Sequence, residues 1–171
     1  MSALYALGHL GKGEPGRLAQ LANHPSEDVR CALAYALGGR VDDVSIDTEI
    51  RLSEDQDVDS RNWATFALGA LLDLDSPAIR DALAARLTDA DDEVRGEAIG
   101  GLAKRQDERA VEAIVRELEQ PDVMTPAIEA AEAMPRREFL PGLERLQVEY
   151  PNDEDILRAV SRCRDTLASP P

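Results

Sequence analysis

Aromatic residues are scarce in this sequence, at 4% of 171 residues, which is low for a globule built around one central core. Such a composition suits thin helical layers, in which Ala, Leu and Gly let neighbouring helices approach closely. Cysteine is scarce as well. Cys31 and Cys163 stand far apart, without the CxxC or CxxH spacing of a zinc site and without a disulfide framework. We therefore predict two reduced thiols.

The sequence also lacks long apolar runs and an excess of positive charge. No segment approaches the roughly 20 apolar residues of a membrane helix, and no basic stretch followed by an apolar one marks a signal peptide. The 34 acidic residues outnumber the 19 basic ones, and the resulting net charge of -15 repels phosphates and anionic membrane surfaces. These features predict a cytoplasmic protein without nucleic-acid or membrane partners, for which a basic protein is the natural counterpart.

The sequence does contain an internal repeat. The segment Asp55–Leu72 has counterparts in Arg30–Gly38 and Arg95–Ala103, at spacings of about 31 and 34 residues. A period in the low thirties predicts a helical solenoid. Ala3–Gly8 aligns with the second helix of a repeat, so the chain is expected to begin in mid-repeat. Because terminal repeats normally need a polar cap, the uncapped N-terminal helix is a candidate surface for a homodimer.

Apolar spacing and capping residues predict the helices. Only the segment Val44–Leu52 is ambiguous, because its Val, Ile and Thr content also suits a strand, and the repeat context favours a helix. We predict one domain over residues 1–168 and a disordered tail over 169–171. The predicted helices cover residues 15–23, 27–37, 44–52, 57–72, 77–88, 93–103, 107–119, 125–134, 139–150 and 154–167.

The inner helix of each repeat follows the pattern Asp-x-Val-Arg-x-x-Ala-x-x-Ala-Leu-Gly, which resembles the HEAT-repeat family in its short, bilin-lyase-type form. The residues that carry the resemblance are Asp28, Val29, Arg30, Leu33 and Ala36–Gly38, then Arg61, Ala64 and Ala67–Gly69, then Val94, Arg95, Ala98, Gly101 and Leu102. The chain departs from the pattern at Asp59–Ser60, and the fourth copy, Thr125–Met134, has no arginine.

The resemblance implies an all-α fold: a right-handed α-solenoid of about five helical hairpins, whose second helices line a concave face. It also implies a non-catalytic scaffold or adaptor. In the family the repeated arginine pairs with a turn aspartate of an adjoining unit, so the resemblance implies a structural ladder. Its members here are Arg30, Arg61 and Arg95 with Asp28, Asp57 and Asp91 or Asp92.

Helix geometry points to a surface for a partner. With the arginine at position zero, positions -1, +3 and +7 form the buried stripe and position +5 faces away from it. Position +5 holds Tyr5, Tyr35 and Phe66, and Trp63 flanks them. One interpretation is an exposed aromatic strip that anchors a protein or peptide. The other is that these rings fold onto neighbouring repeats and replace core that alanine cannot fill.

The turns between paired helices are acidic, at residues 26–28, 54–57, 89–93 and 152–155. Capping and solubility account for most of this charge, because the N-terminus of a helix favours an anion. Recognition of a basic protein is the alternative, and an acidic inhibitor of such a protein is a related function.

The sequence predicts no catalytic site, no cofactor and no metal. Asp55, Asp57 and Asp59 resemble the start of a calcium loop, but Ser60 stands where glycine is required. His9 and His24 lack partners for a metal or a nucleophile. Since bilin lyases carry similar repeats, a bilin-lyase-like accessory enzyme remains an alternative, with Cys31 as its candidate nucleophile.

Overall fold

The computed structural model describes residues 2–168, and within this range the chain is helical without strands. Short 3₁₀ turns span Gln20–Asn23 and Arg137–Phe139. The predicted tail, 169–171, lies outside the described residues. The α-helices are α1 Ser2–Leu10, α2 Pro15–Ala19, α3 Glu27–Leu37, α4 Asp43–Leu52, α5 Val58–Phe66, α6 Pro77–Arg86, α7 Asp92–Lys104, α8 Ala110–Leu118, α9 Thr125–Ala133, α10 Leu140–Glu149 and α11 Glu154–Ala168.

The succession of helices and their contacts within each unit confirm the predicted α-solenoid, and the second helix of each repeat is called the inner helix. Chain contacts divide the protein into two compact units, Met1–Gly101 and Leu102–Pro171. In the first unit α1 packs on α3 and α3 packs on α5, so successive inner helices are neighbours. In the second unit α9 packs on α11 in the same way.

The ambiguous segment 44–52 is helical and forms α4. Asp42 caps this helix, since its carboxylate accepts a hydrogen bond of 2.9 Å from the backbone N–H of Ser45. A capping aspartate satisfies an N–H that would otherwise have no partner in the first turn. The cap therefore outweighs the strand preference of the Val, Ile and Thr side chains that follow.

The buried stripe of the inner helices lies where the helical phase places it. Leu33 and Leu37 of α3 are buried, as are Ala64 and Leu68 of the second copy and Val94, Ala98 and Leu102 of the third. The second copy does not remain an α-helix to its end, because α5 continues into a π-helical turn at Ala67–Leu71. None of the helices in the described range has both the length and the apolar character needed to cross a membrane.

Two glycines allow two helical segments of the first unit to approach closely. A Cβ built on Gly101 would lie 2.7 Å from the Cα of Gly69 and 3.0 Å from Cδ1 of Leu83. A Cβ on Gly69 would lie 2.9 Å from the backbone oxygen of Glu97. Glycine is therefore required at both positions for packing, because backbone atoms cannot yield as the end of a flexible side chain can.

The neighbouring Gly100 and Gly101 provide a test of this packing. Gly101→Ala is expected to lower the free energy of unfolding by about 1–3 kcal/mol, because it overpacks the contact with Gly69. A Cβ at Gly100 would meet nothing within 4 Å, so Gly100→Ala is expected to stabilise the helix by up to about 1 kcal/mol. Urea unfolding followed by circular dichroism measures both. Equal effects of the two substitutions would contradict the packing role.

Candidate functional site

Aromatic rings from three successive inner helices meet on one face of the first unit. Tyr5 and Tyr35 have ring centroids 5.1 Å apart, Tyr35 and Trp63 5.0 Å, and Trp63 and Phe66 5.9 Å. The imidazole of His9 lies 5.3 Å from the Tyr35 ring, and its Nδ1 is 3.0 Å from the Tyr35 hydroxyl. These five residues are called the aromatic cluster below. Its members are spaced as attractive aromatic pairs are, mostly edge to face.

The structure combines features of both interpretations of position +5. The rings contact those of the next repeat, as in the packing interpretation, and Tyr5, Tyr35 and Phe66 are half-buried. They are not part of the sealed core, however, because Trp63 remains 36% exposed and His9 is also exposed. The cluster therefore presents a continuous aromatic surface that is fixed by its own ring contacts.

A cavity of about 240 Å³ opens within the cluster. Tyr35, Trp63 and Phe66 supply aromatic walls, and Leu71, at 47% exposure, supplies an aliphatic one. His9 also lines the cavity, and the small residues Gly8, Ala34, Gly38 and Ala67 complete the lining at positions where larger side chains would fill the space. The repeat's Ala-Leu-Gly motif thus helps to leave this cavity open.

His9 is the member of the cluster that sequence reasoning missed. His9 lies four residues after Tyr5, one helical turn further along the same face of α1. That spacing was the available signal for its place in the cluster.

Acidic side chains surround the Tyr5 end of the cluster. Burial raises the pKa of the Tyr5 hydroxyl, and the nearby Cys31 and the carboxylates of Asp28 and Asp59 raise it further. Burial likewise raises the pKa of the Cys31 thiol; a hydrogen bond with Tyr5 lowers it in part, while Asp59, Asp57 and Asp28 raise it again. The local potential at this end is therefore negative, and the thiolate form of Cys31 is disfavoured.

The repeated arginines bind turn aspartates, but other ones than the sequence suggested. Arg30 makes a bidentate ion pair with Asp55, with both N–O distances at 2.7 Å. Arg61 pairs in the same way with Asp89 at 3.0 and 3.1 Å. Arg61 also donates to the backbone oxygen of Asp55 at 2.9 Å. Each of these two arginines therefore links its own repeat to the turn of the next repeat.

The expected acceptors have other surroundings in the structure. Asp57 is the N-cap of α5 and accepts from the N–H and hydroxyl of Ser60. Asp91 accepts from the backbone of Glu93 and Val94, and Asp28 lies exposed in the first turn of α3. A capping carboxylate points toward its own helix. The aspartate two residues earlier, Asp55 or Asp89, is therefore the one that faces the arginine of the preceding repeat. Arg95 does contact Asp92, within one helical turn.

These ion pairs lower the pKa values of the aspartates that take part in them. Hydrogen bonds from Arg30 lower the pKa of Asp55, against an opposing effect of burial. Burial acts to raise the pKa of Asp89, but hydrogen bonds from Arg61 and from the backbone of Asp91, with the charges of Arg61 and Arg86, lower it overall. Many carboxylates of the acidic turns therefore join repeats or cap helices, as expected if capping accounts for most of this charge.

One further ionisable group lies in the core of the first unit. Glu49 of α4 is 2% exposed, and neither carboxylate oxygen has a hydrogen-bond partner among the described residues. Burial raises the pKa of this carboxyl well above its ordinary value. Glu49 does not line the aromatic cavity, so it bears on stability and not on the site.

No group of three or more His, Cys, Asp or Glu side chains in the described part of the chain is placed to hold a metal ion. Cys31 is half-buried, and Cys163 is buried in the second unit, where its thiol lies 3.7 Å from the backbone oxygen of Ala131.

The sequence is similar to a family of repeat proteins and to a bacterial protein. The sequence model of the HEAT-repeat family matches residues 48–135. Protein YibA from Escherichia coli K12 is 34% identical over 139 residues, which is 81% of this chain and 49% of YibA. The chain thus spans about half the length of the curated relatives it matches.

Solved structures give the same result for the fold. The X-ray structure of E. coli YibA superposes with a TM-score of 0.75 at 31% identity, covering 87% of this chain and 55% of that one. A designed armadillo repeat protein in complex with the peptide (KR)4 superposes with a TM-score of 0.64 at 18% identity, covering 96% of this chain and 91% of the designed one.

Proposed function

The chain belongs to the HEAT-repeat family, and we propose that it is a non-catalytic scaffold or adaptor that binds a protein or peptide through the aromatic cluster. This repeat fold commonly serves as an interaction scaffold. The observation that carries the proposal is the arrangement of Tyr5, Tyr35, Trp63 and Phe66, which three successive inner helices bring together beside an open cavity.

The cluster has the properties of an interface anchor. Large rings with restricted side chains contribute much of the binding energy in protein interfaces, and tryptophan and tyrosine are enriched at such positions. Here the rings hold one another at centroid distances of 5.0 to 5.9 Å. Binding of a partner to these rings therefore costs little further side-chain entropy. Exposed Leu71 beside the cavity extends the apolar area that binding would bury.

The chemistry of Cys31 supports a binding role over the bilin-lyase-like alternative. A nucleophilic cysteine needs a lowered pKa from nearby positive charge or a helix N-terminus. Burial and the carboxylates of Asp59, Asp57 and Asp28 raise the pKa of Cys31 instead. Incubation with a free bilin is accordingly expected to leave both the absorption spectrum and the protein mass unchanged, and a covalent adduct at Cys31 would support the enzyme.

Peptide display against the purified protein tests the proposed interface. Selected peptides are expected to lose about 30-fold or more in affinity for Trp63→Ala, since truncating an interface anchor costs about 2 kcal/mol or more. Tyr150→Ala is the matched control, because Tyr150 is an exposed aromatic residue in the second unit. Titration calorimetry measures both variants after circular dichroism has established that each is folded. Peptides that bind Trp63→Ala as tightly as the parent protein would place the interface elsewhere.

A further inference from the structure

The aromatic cavity also has features that select the chemistry of its occupant. Ring faces carry partial negative charge, and a cation within about 6 Å of a ring centroid is attracted to them. Tyr35, Trp63 and Phe66 all line the same cavity, and the Tyr35 and Trp63 planes are inclined by 87°. A group inside it therefore contacts aromatic walls of different orientation. The volume of about 240 Å³ accommodates a side-chain head group and excludes a folded element.

Carboxylates in the first turn of three inner helices, α3, α5 and α7, reinforce this preference. Asp28, Asp59 and Glu93 occupy the same position, two residues before the repeated arginines, and all three are exposed. The first two act on the Tyr5 hydroxyl at one end of the cluster. Glu93 accepts a hydrogen bond of 2.9 Å from Asn62, the residue beside Trp63. These carboxylates do not line the cavity, but they give the surrounding surface of the inner helices a negative charge, on a chain whose net charge is -15.

We propose that the cavity of the aromatic cluster binds the guanidinium group of an arginine side chain in a basic peptide. This inference rests on the proposed function and gives the partner its chemistry. Among the residues that line the cavity there is no carboxylate, so a cation must enter without a direct ion pair. Guanidinium is planar and weakly hydrated, and it stacks on aromatic faces, whereas the ammonium of lysine is compact and strongly hydrated. An arginine side chain therefore loses less hydration free energy than a lysine side chain when it moves from water into this cavity.

Trp63 makes the inference testable, because it is the one tryptophan in the sequence and it lines the cavity. Its fluorescence is followed during titration with the amides of N-acetyl-arginine, N-acetyl-citrulline, N-acetyl-lysine and N-acetyl-leucine. Citrulline has nearly the shape of arginine without its charge. The arginine probe is expected to bind about fivefold or more tightly than the citrulline probe, since a cation–π contact contributes about 1 kcal/mol. Lysine is expected to bind more weakly than arginine.

Two variants separate the aromatic and the charge contributions. Phe66→Leu keeps an apolar wall and removes a ring face, so it is expected to weaken the arginine probe several-fold and leave the leucine probe unchanged. Combined Asp28→Asn and Asp59→Asn is expected to weaken arginine binding about two- to threefold at low salt and to have less effect at high salt. Tyr150→Leu in the second unit is the control and is expected to change neither probe.

The outcomes distinguish this inference from the proposed function. Leucine or citrulline binding as tightly as arginine would overturn the cationic occupant and leave the aromatic interface standing as an apolar one. Absence of any effect of the arginine probe on Trp63 fluorescence would also overturn the inference. The peptide selection with Trp63→Ala decides the interface itself, independently of these small probes.

Discussion

Arg61→Ala is expected to lower the free energy of unfolding by about 3 kcal/mol or more, the cost of breaking a largely buried ion pair from one side. The Arg61 and Asp89 side chains are 16% and 7% exposed. Removing the guanidinium also removes the hydrogen bonds to the backbone oxygens of Asp55 and Gln56, at 2.9 and 3.1 Å. The Asp55 carbonyl and the Asp89 carboxylate are partly buried, so water replaces their lost donor poorly.

The matched control is Arg116→Ala. Arg116 pairs with Glu112 at 3.6 Å within one exposed helix face, and the two side chains are 46% and 91% exposed. Such a surface pair contributes about 0–1 kcal/mol. Arg61→Lys keeps the charge without the bidentate geometry, so its effect is expected to lie between the two. Urea unfolding followed by circular dichroism reports on both units and so on both substitutions. If Arg61→Ala and Arg116→Ala cost the same, the ladder does not hold the repeats together.

Glu49→Met is expected to raise the free energy of unfolding at neutral pH by about 2–3 kcal/mol, because it removes a buried carboxyl without partners. The pKa of Glu49 is raised in the folded state, so the folded chain holds a proton that the unfolded chain releases. The stability that comes from holding the protonated Glu49 carboxyl is therefore fully present below about pH 4.3, the ordinary glutamate pKa. It is lost as the pH rises from there toward the raised pKa of the folded state. Within that window each pH unit costs about 1.4 kcal/mol.

The pH dependence identifies Glu49 as the cause of the effect. The stabilisation by Glu49→Met is expected to be larger at pH 7.5 than at pH 5.5. The pKa values of Asp42, Asp55 and Asp89 are lowered in the folded state, so these aspartates lose their contributions to stability only as the pH falls below the ordinary aspartate pKa of about 3.9, outside this range. Exposed Glu112→Met serves as a control that should change stability little at either pH. An equal gain from Glu49→Met at both pH values would show that the carboxyl is not held protonated.

The fold was largely predictable because local signals and the repeat agree. The arginine of each inner helix fixed its phase, and that phase placed Leu33, Ala64 and Val94 or their neighbours correctly in the core. Repetition also settled α4, whose composition alone suits a strand. The π-helical turn at Ala67–Leu71 was not predicted, since the apolar pattern of this segment is the same for either helix type.

The candidate site was predictable only in part. Helical phase placed Tyr5, Tyr35 and Phe66 on one face, but it does not determine how far a ring leans toward the next repeat. The acceptors of Arg30 and Arg61 were misassigned because each turn contains two aspartates, and only three-dimensional geometry shows which one caps its own helix. The burial of Glu49 could not be predicted from the sequence, because an isolated glutamate is normally exposed and its burial depends on the helices packed around it.

The approach of Gly69 and Gly101 has a consequence for how this sequence can change over evolutionary time. A side chain at either position would occupy space that the other backbone already fills. Divergence at one position therefore requires a compensating shift of a whole helix and not merely a new rotamer. The two positions, 32 residues apart, are expected to behave as a single unit of variation among relatives that keep this helix spacing.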